Sequence, residues 1–187
     1  KRRTSFEVKL PQAGTYRIAG VAETAMASYK LNGETKRWRG LADAVDKEIP
    51  PSATEVQVTR VHTRVETFVT AGRPSDTALK PTGAGLELVA VTHPNDLFAG
   101  EAATFKLLLD GKPAPDLAIE IIPDGIRYRD KQNELTATSD KDGQFSVTWP
   151  NAGRYWLETS LVDDKTSVPQ ATQRRVSYVV TLEVLPQ

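Results

Sequence analysis

Apolar and polar residues alternate along most of this chain, and a period of two is the mark of half-buried β-strands. In residues 5–10, Phe6, Val8 and Leu10 face one way while Glu7 and Lys9 face the other. The Pro-Gln-Ala-Gly stretch 11–14 reads as a turn, and Tyr16 and Ile18 resume the inward face, so the spacing predicts a hairpin. Ala27, Tyr29 and Leu31 form the next inward row, followed by Asn32-Gly33, the pair best suited to a type I′ hairpin turn. The returning strand, 34–39, carries Lys36 and Trp38 opposite Arg37 and Arg39. Residues 41–48 read as two turns of helix, stopped by Ile49-Pro50-Pro51.

The stretch 54–69 changes phase. Val56 and Val58 hold even positions, whereas Val61, Val65 and Val69 hold odd ones. A one-residue slip turns every later side chain to the other face, so a bulge is expected near Thr59-Arg60. With Val61 and Val65 inward, His62 would share the solvent face with Arg60, Arg64 and Glu66. Residues 71–84 are rich in Gly, Pro, Ser and Thr without apolar periodicity, which suits a domain boundary.

The second half is patterned more strongly. Strands are expected at 86–91, 104–109, 117–121, 126–129, 144–149, 154–161 and 175–185, with Asp110-Gly111, Asp124-Gly125, Asp142-Gly143 and Asn151-Ala152-Gly153 between them. Short strands at this spacing indicate an antiparallel sandwich. The fold class expected is all-β, in two β-rich units: a β-rich N-terminal domain at 1–80 and an immunoglobulin-like β-sandwich at 85–187. Without the immunoglobulin cysteine pair, Phe105, Phe145, Trp149, Tyr155 and their Leu and Val neighbours must carry that core.

Composition narrows the function classes. Lysine plus arginine and aspartate plus glutamate both number 24 in 187 residues, so the formal charge is zero. That opposes a basic footprint for nucleic acid. The absence of cysteine removes disulfides, thiolate metal sites and cysteine nucleophiles. No apolar run is long enough for a membrane-spanning helix. The chain opens at Lys1 inside a strand-like pattern, so the absence of an export leader carries no information.

Two histidines bear on chemistry. His93 stands in Thr92-His93-Pro94-Asn95-Asp96, between two strands, and with Asp96 offers two possible metal ligands. Zinc-type sites use three or four. Asp140-Lys141-Asp142-Gly143 begins like a calcium loop, but Asn151 stands where the bidentate Glu belongs, so a tight turn is expected. Trp156 falls on the outward face if Trp149 and Tyr155 are inward. With Arg127 and Arg129 it makes a candidate ligand-binding group, for a sugar ring or a protein partner. No nucleophile elbow and no Gly-rich phosphate loop before a helix is present, so the expectation is a protein that is not an enzyme; the residues leave any cofactor unknown.

Several segments carry a family likeness. They are Gly85-Leu86-Glu87-Leu88, Thr92-His93-Pro94-Asn95-Asp96-Leu97, Ala99-Gly100-Glu101, Leu108-Leu109-Asp110-Gly111-Lys112-Pro113, Ser139 to Phe145, and Trp149-Pro150-Asn151-Ala152-Gly153-Arg154-Tyr155-Trp156. In order and spacing they resemble a bacterial periplasmic family catalogued as a domain of unknown function, often encoded beside nickel or cobalt and TonB-dependent uptake genes. The resemblance implies a periplasmic location and an immunoglobulin-like or carboxypeptidase-regulatory-like sandwich. It also implies a non-catalytic binding or accessory role linked to transition-metal uptake, with a metal ion or an envelope transport protein as partner. The alternative is a carbohydrate- or protein-binding module of the cell envelope.

Overall fold

A computed structural model describes residues 5–166 and 171–187. It is all-β, and its two sheets face each other as a sandwich. The dominant feature of the first half is a pair of 18-residue strands, β1 (Gly14–Leu31) and β3 (Thr54–Ala71), antiparallel from Gly14 opposite Ala71 to Lys30 opposite Thr54. β2 (Glu34–Gly40) folds back on β1 through Asn32 and Gly33, both at positive φ (52° and 82°) as a type I′ turn requires.

Residues 5–10, expected as a strand, pair with no strand among the described residues. The helix expected at 41–48 is smaller: a 3-10 turn at Ala42–Ala44 and one helical turn, α1 (Val45–Glu48). Pro50 and Pro51 leave it no room to grow. Its Val45 and the following Ile49 cover Ala25, Ala27, Val58 and Ala171, making a small second core.

Eight strands follow: β4 (Leu86–Ala90), β5 (Ala102–Leu109), β6 (Lys112–Pro113), β7 (Ala118–Pro123), β8 (Leu135–Thr138), β9 (Gln144–Thr148), β10 (Gly153–Asp163) and β11 (Ala171–Val184). The strand expected at 126–129 is instead a 3-10 turn, Ile126–Tyr128, entered through left-handed Gly125. The strand at that sheet edge is β8.

The larger sheet runs β2-β1-β3-β11-β10-β7-β8. Its central joint is parallel, β11 lying beside β3 from Ala171 opposite Val58 to Thr181 opposite Thr67. The smaller sheet sets β4 and β9 on either side of β5, with β6 completing it. Between the sheets lie Leu86, Leu88, Phe105, Leu107, Phe145, Trp149, Tyr155, Leu157, Val176 and Val180. Trp149 and Tyr155 meet at 4.9 Å between ring centres and Phe105 approaches the indole edge-on, geometries that favour aromatic pairs beyond area alone.

The phase change in β3 has a different origin from the bulge expected at Thr59-Arg60. Pairing with β1 is unbroken there, and the irregularity lies between Ser28 and Lys30, opposite Glu55 at φ 52°. A second lies in β11 between Ala171 and Gln173. From Val58 onward the even positions turn inward: His62, Arg64 and Glu66 are buried and Val65 is 49% exposed. Val61 is buried as expected, but the orientation expected for His62, Arg64, Glu66 and Val65 is reversed.

Candidate functional site

The outer face of the larger sheet carries a groove. Trp156 on β10 stands opposite Ile122 of β7 on one side and Thr181 of β11 on the other. Alternation requires this outward placement, because Tyr155 and Leu157 fill the core. Ile122, Pro123, Ile126 and Trp156 line a groove of about 510 Å³, the size of a small-ligand site. Asp124 and Arg154 also line it. The Arg154 guanidinium bonds the Asp124 carboxylate through Nε at 3.0 Å and through Nη2. The Gly125 amide, at 2.6 Å, and then Arg154 hold the Asp124 carboxyl below its usual range. The groove thus offers an aromatic floor, an apolar wall, and one acceptor and one donor at its rim.

Arg129 builds the groove rather than facing its contents. Its guanidinium donates to the carbonyls of Pro123, Asp124, Lys131 and Gln132, pinning the loop that carries Ile126. Arg127 is exposed on the 3-10 turn and does not line the groove. Asp124 and Arg154 take the polar places instead. Arg154 was legible two residues before Trp156 on the same face, while Asp124 arrives only through the closure of a turn.

His93 and Asp96 lie in one turn, with the Asp96 amide donating to the His93 carbonyl at 2.8 Å. The His93 ring is engaged on both sides: Nδ1 accepts the Asn95 amide at 3.1 Å, and Nε2 lies 3.3 Å from the Thr15 hydroxyl. Among the described residues no three His, Asp or Glu side chains are grouped to hold a metal ion.

A second polar feature lies inside the fold. Arg17 of β1, Arg64 and Glu66 of β3, and Glu87 of β4 form an alternating quartet. Arg17 is 4.0 Å from Glu66 and 3.8 Å from Glu87; Arg64 is 3.6 Å from each. Tyr178 donates to Glu66 at 2.6 Å. Glu87 is completely buried. Burial pushes its carboxyl up, but the Thr82 amide and hydroxyl, the Gly83 amide and Arg64 outweigh this and leave it below its ordinary value. Burial, and then the Glu66 carboxylate, raise the Tyr178 hydroxyl well above its ordinary value.

Two positive and two negative charges cancel within this cluster, so the quartet carries no net charge. Several buried atoms in it, including Arg17 Nε and Nη2, Arg64 Nε and Glu66 Oε2, have no hydrogen-bond partner among the described residues. Such an arrangement stabilises little while intact and costs heavily when one member is removed. Reading β3 as an amphipathic strand missed it, because its charged residues occupy positions that the valine pattern assigns to solvent.

No helix among the described residues is long and apolar enough to cross a membrane. No protein with a curated description and no solved structure matches the chain. A family model does match, over residues 1–163, reaching from before β1 to the end of β10. The chain belongs to the family described as domain of unknown function DUF4198.

Proposed function

We propose that this is a non-catalytic periplasmic binding or accessory protein whose ligand seat is the Trp156 groove, and that the ligand is a carbohydrate. One observation carries this reading: an outward Trp156 set beside an apolar wall, with a carboxylate and a guanidinium on the same rim. A pyranose ring presents an apolar C–H face and a polar hydroxyl edge. The indole face suits the first, while Asp124 accepts from hydroxyls and Arg154 donates to them. The Asp124 carboxylate is already bonded to Arg154, the Tyr155 hydroxyl donates to the Asn151 carbonyl, and no histidine is among the residues lining the groove beside the Thr181 hydroxyl.

Fluorescence titration with soluble gluco-, manno- and N-acetylglucosamine-containing oligosaccharides tests this. Trp149 is buried and Trp38 is bonded to Glu48 on β2's side of the sheet, so Trp156 is the reporter. Binding should shift its emission, and W156A should abolish both the shift and the heat of binding. Unchanged emission and no heat across the panel would remove the carbohydrate reading.

A further inference from the structure

Residues 5–10 have the alternation of a strand but no strand beside them among the described residues. Phe6 is 73% exposed and Val8 45% exposed. Apolar side chains on backbone whose hydrogen bonds are unfilled among the described residues form a template for another strand. The exit of this arm from β1 is held: the Tyr16 hydroxyl donates to the Gln12 carbonyl at 2.8 Å and accepts the Gln12 amide at 2.9 Å.

The arm's own sequence names a partner that fits it. Laid antiparallel on a second copy with Val8 opposite Val8, Phe6 faces Leu10 and Glu7 faces Lys9, on both sides of the two-fold axis. Opposite charges are then directly across from each other, and every apolar residue lies on the other face. Slipping the register by one residue sets Phe6 against Lys9, or Val8 against Lys9. Slipping it by two in one direction sets Glu7 against Glu7, and in the other Lys9 against Lys9. Only the register centred on Val8 is self-complementary, and its symmetry closes at two copies.

We infer that residues 5–10 pair with the same residues of a second copy in an antiparallel ribbon centred on Val8, making the protein a homodimer. A ribbon of two short strands is marginal by itself, so the dimer is weak and concentration-dependent. The inference is independent of the Trp156 groove, which lies on β7, β10 and β11.

Sedimentation equilibrium of the full chain over a concentration series tests it. The native chain should fit a monomer–dimer equilibrium. E7K and K9E, each of which places like charges opposite each other at two symmetric positions, should each weaken the dimer about tenfold. The double variant E7K/K9E should restore native dimerisation, because it exchanges the charges without changing the pattern. Glu7 and Lys9 are exposed and outside both cores, so all three variants should keep the native circular dichroism. A chain that stays monomeric at every concentration overturns the inference. So do single variants that dimerise like the native chain, or a double variant that remains weak.

Discussion

The Tyr178 hydroxyl donates to Glu66 Oε1 at 2.6 Å, across the parallel joint between β11 and β3. Both residues are buried, and the other Glu66 oxygen has only ion-pair contacts with Arg17 and Arg64. Y178F would leave a buried carboxylate oxygen without its one hydrogen bond. A buried acceptor orphaned in this way costs about 1–3 kcal/mol. Urea unfolding should show that loss as a lower midpoint with an unchanged slope.

Glu87 makes stability depend on acid. Its folded value lies below the ordinary 4.5 because the Thr82 and Gly83 donors and Arg64 outweigh the cost of burial. The unfolded chain therefore takes up this proton more readily. The stabilisation is complete above about pH 4.5 and is lost as pH falls through the folded value. E87Q should be less stable than the native chain at neutral pH and should flatten the acid limb of a stability-against-pH curve. An unaltered acid limb would dissociate Glu87 from it.

Gly85 is paired sterically with His62. Its φ is +68°, and a Cβ there would lie 2.2 Å from His62 Cε1. G85A should cost about 1–3 kcal/mol from crowding, with a further cost for the left-handed backbone of about 1–2 kcal/mol. Adding H62A removes the crowding share alone, so a double-mutant cycle should give a coupling energy between the two sites. Strict additivity would contradict the contact.

His62 also gives a pH signature. Burial lowers its value below the ordinary 6.5, with Arg64, Arg60 and Arg174 acting in the same direction and Glu23 opposing them. The folded state holds the ring neutral, so its contribution is full above about pH 6.5 and falls as pH drops through the folded value. H62Q should lessen the loss of stability on going from neutral to mildly acidic pH.

His93 and Asp96, expected as metal ligands, would offer two donors at most where a tight site uses three or four, and the His93 ring is already engaged by Asn95 and Thr15. Calorimetric titration with nickel should give weak heat at most, and H93A should remove it. Tight one-to-one binding that survives H93A would place a metal site elsewhere in the chain.

Much of the architecture was legible from pattern. Alternation at Phe105, Leu107 and Leu109, at Phe145, Val147 and Trp149, and at Tyr155 and Leu157 marks strands that the sandwich contains. The same alternation turned Trp156 outward, and Asn32-Gly33 located the first tight turn. The 5–10 segment read as a strand because pattern reports which face is apolar, not whether a neighbour exists to pair with it. The 126–129 segment departs from its strand pattern because Gly125 and the Arg129 contacts close a turn there, and β8 takes the edge.

Local sequence determined that this protein is built of strands, where its tight turns fall, and which aromatic residues fill the sandwich. Those follow from side-chain alternation and from the φ angles that Gly and Asn tolerate, both properties of neighbouring residues. Tertiary structure alone decided that β3 lies parallel to β11, that its charged face turns inward, and that Arg17, Arg64, Glu66, Glu87 and Tyr178 meet. These groups are separated by up to 161 residues along the chain (178 − 17 = 161). Their mutual compensation exists only after long-range pairing brings opposite charges together in a place that water does not reach.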